Sequence, residues 1–268
     1  MLDYKSVKTA SGVTGYAKIG NGSPLVLVVG YSGTLFHWNS QFVNELASSH
    51  TVYLIDNRMV GLSVSNNQES IAGFALDVVD FIQAMNLVKP IIAGWSMGGV
   101  IVQELLKTHE HIVSSAVLLA TLSNMSYMDP GFHELLINSH KYEANEFRQR
   151  LYYYFFSKTD ISQVKDIITS NALTFNDYQY RFTLEAKALQ DAVVPIWSGI
   201  DSEELAKIKI PVLLLWSRDD AVVNSEAIRF LFAKLLDSKM IVYPKGGHFL
   251  IQTNPTQIAR DINNFLKT

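Results

Sequence analysis

The chain has 268 residues, and its 22 basic and 25 acidic side chains give a net charge of -3 without a basic stripe for nucleic-acid phosphates. It contains no cysteine, which excludes disulfides, thiolate catalysis and thiolate zinc sites. Because no apolar run reaches the roughly 18 residues of a membrane span, and the first residues lack a signal-peptide pattern, we expect a soluble, cytoplasmic protein that does not bind nucleic acid or span a membrane.

Short apolar runs indicate buried strands along most of the chain. Upstream of them, the segment 3–19 alternates weakly and contains turn glycines, which predicts an antiparallel hairpin at a sheet edge. The runs themselves suit strands that are buried on both faces. They lie at 25–29, 52–55, 90–93, 116–119, 212–216 and 240–243.

Helical periodicity separates these runs. Between 70 and 87, apolar residues recur at three- or four-residue steps behind Ser70, whose hydroxyl suits a helix N-cap. A second amphipathic pattern begins at Asn254, with Pro255 in the first turn. This alternation predicts an α/β fold with a mostly parallel central sheet and helices on both faces.

The alternation of strands and helices stops between about 123 and 195. Helical segments rich in aromatic residues take its place, including LYYYFF at 151–156. We interpret this region as an inserted helical cap. The predicted organisation is therefore a core of residues 1–122 and 196–268 and a cap of residues 123–195.

The run at 90–93 leads into GWSMGG, which places Ser96 between Gly94 and Gly98. Small flanking residues allow a tight turn between a strand and a helix, and such a turn projects the serine hydroxyl above the sheet. From these residues alone, the serine could also be a simple helix cap. GWSMGG resembles the nucleophile elbow of the α/β-hydrolase family, including that of small microbial carboxylesterases, and the resemblance covers essentially the whole chain.

In that family the nucleophile, the acid and the histidine follow in this order along the chain, each on a loop after a strand. The resemblance thus implies Ser96, Asp220 and His248 as catalytic residues, because SRDDAVV and KGGHF follow the last two predicted strands. Asp219 is the alternative acid. Asp220 is favoured because it lies three residues beyond Ser217, which occupies a glycine position of the family pattern, and shortly before a valine pair.

The resemblance further implies an oxyanion hole made by the backbone N–H groups of Tyr31 and Met97. The loop before Tyr31 departs from the family's His-Gly-x pattern, because Val29 replaces the histidine that often steadies this loop. A second departure lies in DNRMVGLS at 56–63, where Met59 stands at a glycine position of a structural motif.

Four aromatic residues are candidates for the substrate pocket: Trp38, Trp95, Tyr153 and Phe156. Packing is the other interpretation for each of them, because aromatic side chains dominate ordinary core burial. The histidines are scattered and no phosphate-binding loop with a lysine is present, so we expect no metal and no cofactor.

The combined pattern predicts a cofactor-independent serine hydrolase that cleaves small-molecule carboxylic esters through an acyl-enzyme intermediate. The same trio also serves C–C bond, lactone or thioester cleavage and perhydrolysis, because the fold does not set the substrate. A ligand sensor that keeps the trio but turns over slowly is the alternative from a different functional class.

Overall fold

A mixed sheet forms the centre of the computed structural model, which describes residues 1–157, 164, 167–168, 172–176 and 182–267. Within those residues ten strands belong to this sheet. In chain order they are Leu2–Lys8 (β1), Gly12–Ile19 (β2), Ser23–Val28 (β3), His50–Ile55 (β4), Val64–Ser65 (β5), Ile91–Trp95 (β6), Ser115–Leu119 (β7), Phe175–Asn176 (β8), Val212–Ser217 (β9) and Ser238–Tyr243 (β10).

Strands in the larger part of the sheet run parallel, in the order β4-β3-β6-β7-β9-β10. β1 and β2 form an antiparallel hairpin beyond β4, and β5 pairs with β2. The predicted mostly parallel sheet with a hairpin on one side is therefore confirmed. All six apolar runs of the sequence form strands of the parallel part.

Helices connect these strands and cover the sheet. They are Ser40–Ala47 (α1), Ile71–Ala84 (α2), Met97–His109 (α3), Pro130–Ile137 (α4), Ala144–Phe155 (α5), Leu184–Val193 (α6), Ser202–Leu205 (α7), Ser225–Lys234 (α8), Leu250–Thr253 (α9) and Pro255–Phe265 (α10). Every residue of β6, β7 and β9 is buried, so both faces of the sheet are covered. α2 packs with α3 on one side, and α1 packs with α10 on the other.

The start of α2 follows the prediction closely. The Ser70 hydroxyl accepts a hydrogen bond of 3.1 Å from the N–H of Gly73, as an N-cap residue does. Such a cap contributes about 1 kcal/mol to the stability of a helix. The helix presents Phe74, Val78 and Ile82 to the core, which are residues of the predicted apolar stripe.

The segment between β7 and β9 contains α4, α5 and α6, and also the two-residue strand β8, which pairs in parallel with β1. No strand was expected here. A strand of two residues leaves no periodicity to detect, and it forms because the outer edge of β1 offers unpaired backbone groups. The cap boundaries at 123 and 195 stay a prediction, and residues 158–163, 165–166, 169–171 and 177–181 lie outside the described residues.

Met59 has a left-handed backbone conformation, with φ of 63°, and its N–H donates a 2.8 Å hydrogen bond to the Ser63 carbonyl. This conformation costs a residue with a Cβ about 1–2 kcal/mol, whereas glycine adopts it freely. Relief of this strain is partly offset, because glycine gives the unfolded chain a larger backbone entropy. We therefore expect Met59→Gly to raise the free energy of unfolding by about 0.5–1 kcal/mol. Urea denaturation followed by circular dichroism measures this difference.

Leu62→Gly is the matched control, because Leu62 is an exposed residue of the same loop with a negative φ. There the added backbone entropy of the unfolded chain is not offset by relief of strain, so the variant should be less stable than the wild type. Equal destabilisation by both substitutions would show that the backbone of Met59 is not strained.

Candidate active site

Ser96 lies on a sharp turn between β6 and α3. Its φ of 56° and ψ of -121° belong to a region that residues other than glycine rarely adopt. Two hydrogen bonds hold the turn, a 2.9 Å bond from the Ser96 N–H to the Leu119 carbonyl and a 2.8 Å bond from the Thr121 hydroxyl to the Ser96 carbonyl. The surrounding structure thus fixes a conformation that leaves the serine partly exposed at the end of the sheet.

Glycines beside Ser96 permit the close approach of the strand and the helix. A Cβ on Gly98 would stand 2.0 Å from the carbonyl oxygen of Val28, and one on Gly94 would stand 2.3 Å from that of Gly98. Both distances are far shorter than a van der Waals contact. The spacing of glycines in GWSMGG is therefore a steric requirement of the turn.

A chain of hydrogen bonds links Ser96, His248 and Asp220. The Nε2 atom of His248 lies 2.8 Å from the Ser96 hydroxyl, and Nδ1 lies 3.0 and 3.1 Å from the two carboxylate oxygens of Asp220. Since a carboxylate only accepts hydrogen bonds, the imidazole proton belongs on Nδ1, and Nε2 is then an acceptor for the serine hydroxyl. The side chains of His248 and Asp220 are fully buried.

Asp219 and Asp220 have different surroundings. Oδ1 of Asp220 accepts hydrogen bonds of 2.8 and 3.0 Å from the N–H groups of Val222 and Val223, which orients the carboxylate towards His248. These contacts support Asp220 as the acid of the trio.

The Asp219 carboxylate instead accepts hydrogen bonds of 2.6 Å from the Ser217 hydroxyl and 2.9 Å from the Gly247 N–H. Burial alone would raise the pKa of Asp219, but these hydrogen bonds, led by the one from Ser217, outweigh it and lower the pKa. Asp219 thus ties the end of β9 to the loop that carries His248.

Aromatic side chains pack behind His248. The indole N–H of Trp95 donates a 2.9 Å hydrogen bond to the His248 carbonyl, and the Trp95 ring stacks on Phe249 with centroids 4.3 Å apart. The ring of Phe155 from α5 lies 5.2 Å from the imidazole. Trp95 therefore holds the backbone of His248, a function that the sequence pattern did not indicate.

Two residues with an unpaired backbone N–H group lie at the cavity that contains Ser96, within the part of the chain that the structure describes. Tyr31 follows β3 and Met97 is the first residue of α3, and both line the cavity that contains Ser96. In the part of the chain that the structure describes, neither N–H donates a hydrogen bond to another residue. Together with the positive end of α3, they can bind an oxygen that gains negative charge beside Ser96.

The loop that carries Tyr31 has other supports in place of the family's histidine. Val29 is fully buried, and its carbonyl accepts a 3.0 Å hydrogen bond from the Asn57 side chain. From α6, Gln190 accepts a 2.8 Å hydrogen bond from the Ser32 N–H through its side-chain oxygen, and Asp191 accepts one from the Tyr31 hydroxyl. Neither α6 residue was singled out from the sequence.

Comparison with known families agrees with this geometry. The family model described as alpha/beta hydrolase fold matches residues 23–255, which is most of the chain. The chain belongs to the α/β-hydrolase family. The resemblance predicted from GWSMGG is thus confirmed.

Proteins similar in sequence to this α/β-hydrolase family member are named for different reactions. A Synechocystis sp. protein provisionally named a non-heme chloroperoxidase is 24% identical, and the alignment covers 94% of each chain. The pimeloyl-[acyl-carrier protein] methyl ester esterase of Aeromonas hydrophila is 23% identical over 93% of this chain and 97% of its own. The crystal structure of esterase RhEst1 from Rhodococcus sp. ECU1013 has a TM-score of 0.81, 20% identity and 99% coverage of both chains, which shows the shared fold.

Two cavities lie beside the Tyr31 loop, and both are lined by Tyr31 and Phe155. The first contains Ser96 and Met97, has a volume of about 30 Å³ and is almost entirely apolar. Its walls come from α3, the segment after β7, α4, the end of α6 and the loop after Asp220. The space beside Ser96 is therefore small and apolar.

The second cavity is larger, about 310 Å³, and lies between the Tyr31 loop, α5 and the start of α6. Its lining mixes aromatic rings with the polar side chains of His37, Arg148 and Lys187. Burial lowers the pKa of His37 to about 4, so this imidazole is neutral at pH 7. Lys187 is neutralised by Asp191, whose carboxylate lies 2.6 Å from its ammonium group.

Only one of the four pocket candidates lines these cavities, namely Trp95 in the larger one. Trp38 is fully buried and stacks on Phe42, and Phe156 is buried against Phe249. Tyr153 is 46% exposed on the outer side of α5. Trp38, Phe156 and Tyr153 thus lie outside the lining of both cavities, since an aromatic residue type does not tell which way its side chain points.

The described residues contain neither a cluster of metal-binding side chains nor a membrane-spanning helix. Within them, no three histidine, aspartate or glutamate side chains come close enough together to hold a metal ion. No helix among them has the length and apolar character that a bilayer crossing requires.

Proposed function

We propose that this protein is a serine hydrolase that cleaves carboxylic esters of small or medium apolar acyl groups through an acyl-enzyme intermediate. The observation that carries the proposal is the continuous hydrogen-bonded chain from the Ser96 hydroxyl through His248 to Asp220. A neutral serine hydroxyl is a weak nucleophile, and an imidazole held by a carboxylate is the usual device that activates it.

The reaction would proceed in two halves. Nε2 of His248 takes the proton of Ser96 as its oxygen attacks the ester carbonyl, and the Tyr31 and Met97 N–H groups bind the resulting oxyanion. His248 then gives the proton to the departing alcohol, which leaves the acyl group on Ser96. Water repeats the sequence and releases the acid. Each oxyanion donor is typically worth about 2.7–4 kcal/mol in the transition state.

The two cavities suggest where the parts of the ester bind. The narrow cavity begins at Ser96 and suits an apolar acyl chain, because its lining is almost entirely apolar. The larger cavity, with its polar side chains, suits the alcohol part. Esterase names among the relatives support ester chemistry, although relatives with this fold differ in the reactions for which they are named.

We expect the wild-type protein to hydrolyse p-nitrophenyl esters with a maximum among the short acyl chains, between acetate and hexanoate, and to lose activity towards laurate. The reason is the volume of about 30 Å³ in the cavity beside Ser96. Steady-state and stopped-flow rates over the acyl series measure this preference. A burst of one equivalent without further turnover would instead favour a sensor, and a faster reaction with hydrogen peroxide than with water would favour perhydrolysis.

Met125→Ala tests the same cavity from the protein side. Met125 is a partly buried residue of its lining, so truncation should move the optimum towards longer acyl chains. Met240→Ala, a partly buried methionine on β10 outside both cavities, is the control and should leave the optimum unchanged. An optimum that does not move with Met125→Ala would place the acyl chain elsewhere.

A further inference from the structure

We propose that Gln190 and Asp191 of α6 are positioning residues for the oxyanion donor Tyr31. This inference rests on the proposed function, because it assigns a role in the same reaction to residues that do not touch the substrate. It follows from hydrogen bonds that join α6 to the Tyr31 loop across 158 and 160 residues of sequence.

Gln190 holds the peptide group that follows Tyr31. Its side chain is fully buried, and its oxygen accepts the 2.8 Å hydrogen bond from the Ser32 N–H. Ser32 has a left-handed φ of 56°, a conformation that needs external support in a residue other than glycine. Because the Ser32 nitrogen is bonded to the Tyr31 carbonyl carbon, this contact fixes the orientation of the Tyr31–Ser32 peptide plane.

Asp191 holds the side chain of the same residue. Its carboxylate accepts hydrogen bonds from the Tyr31 hydroxyl, from the Ser139 hydroxyl at 2.8 Å and from the Lys187 ammonium at 2.6 Å. Burial and the adjacent negative charge of Asp191 both raise the pKa of Tyr31, so the phenol keeps its proton and donates. Tyr31 is therefore held at its side chain by Asp191 and at the following peptide by Gln190.

These contacts compensate for Val29, which stands where the family pattern has a histidine. An apolar side chain at this position cannot hydrogen-bond to the loop. The Asn57 side chain holds the Val29 carbonyl, and the Gly33 N–H holds the Gly30 carbonyl, whose peptide group also contains the Tyr31 N–H. The N–H of Tyr31 must lie within hydrogen-bond distance of the oxyanion to be useful, and a misplacement of about 1 Å can cost about 100-fold in rate. In this protein α6 adds hydrogen bonds from outside the loop, at the peptide group that follows Tyr31 and at the Tyr31 side chain.

The test uses two substitutions that leave the Tyr31 N–H in place. Gln190→Met keeps the size of the side chain but removes the acceptor for Ser32, and Tyr31→Phe removes only the hydroxyl bound by Asp191. We expect each to lower kcat by about 10- to 100-fold while KM changes less than about threefold, because the lost stabilisation is that of the transition state.

Matched variants separate positioning from simple loss of stability. Gln252→Met removes another buried glutamine that hydrogen-bonds to the His37 carbonyl and to Asn39, so it should lower the melting temperature without lowering kcat. Asp191→Asn keeps an acceptor for the Tyr31 hydroxyl and should retain activity within about threefold of the wild type, whereas Asp191→Ala should behave like Tyr31→Phe.

The affinity for an alkylboronic acid can be measured without turnover of a substrate. The boron of this acid accepts the Ser96 oxygen, the serine proton passes to His248, and a boron-bound oxygen takes the place of the oxyanion. The boronic-acid affinity should fall in Gln190→Met and Tyr31→Phe in parallel with kcat, while the KM of the ester stays nearly constant.

Unchanged kcat and unchanged boronic-acid affinity in folded Gln190→Met and Tyr31→Phe would overturn the positioning role and leave ester hydrolysis standing. A wild-type protein that binds the boronic acid but does not turn over esters would overturn the proposed function. The boronic-acid affinities of the variants would still decide whether α6 positions Tyr31.

Discussion

Ser96→Ala is expected to lower kcat for ester hydrolysis by about 10⁶-fold. Removal of the hydroxyl eliminates the nucleophile, and His248 and Asp220 then have no group to activate. Residues of such a trio act as a unit, so the loss approaches that of removing all of them. Activity that remains comes from the oxyanion donors and substrate binding alone.

Ser123→Ala is the matched control for this experiment. Ser123 is fully buried, and its hydroxyl has no hydrogen-bond partner among the described residues, so its removal should leave kcat unchanged. Both variants should show the circular dichroism spectrum of the wild type. Ester hydrolysis by Ser96→Ala at a rate near that of the wild type would rule out the mechanism, and it would require another nucleophile.

Asp220→Asn is expected to lower kcat by about 10⁴-fold. An asparagine amide has nearly the same shape as the carboxylate, but it cannot stabilise the imidazolium that forms when His248 takes the serine proton. It also permits the imidazole tautomer in which Nε2 carries the proton and cannot act as the base. Rates with p-nitrophenyl acetate under substrate saturation measure the effect.

Asp219→Asn provides the comparison that identifies the acid. Its carboxylate binds Ser217 and Gly247 rather than His248, so substitution should lower stability by about 1–2 kcal/mol and reduce kcat by less than about tenfold. Chemical denaturation and kinetics on the same two variants separate these effects. A larger loss of kcat in Asp219→Asn than in Asp220→Asn would show that Asp219 is the acid.

The strands of the parallel sheet could be predicted because burial on both faces selects continuous apolar runs, such as LVLVV and VLLLW. Ser96, Asp220 and His248 were implied by the resemblance to the α/β-hydrolase family, through their order along the chain and their place after strands. Parallel strands bring their carboxyl ends to one edge of the sheet, so residues far apart in sequence meet there. The structure brings these three side chains into hydrogen-bond contact.

The hydrogen bonds that hold the Tyr31 loop could not be predicted from the sequence. Gln190 and Asp191 lie on a helix of ordinary composition, and their partners in the Tyr31 loop are 158 and 160 residues away. No residue pattern within either segment indicates that α6 and the Tyr31 loop hydrogen-bond to each other. The orientation of aromatic side chains could not be predicted either, because Trp38 and Phe156 have the residue type of a pocket wall but are buried in the core.

The backbone of Ser96 also bears on how this protein could be engineered. A residue held at φ of 56° and ψ of -121° stores strain of about 1–3 kcal/mol, and only glycine would remove it. Selection for heat resistance alone would therefore reward Ser96→Gly, the replacement that also deletes the nucleophile. Directed evolution of a more robust variant must screen for turnover in every round, since stability and activity compete at this single position.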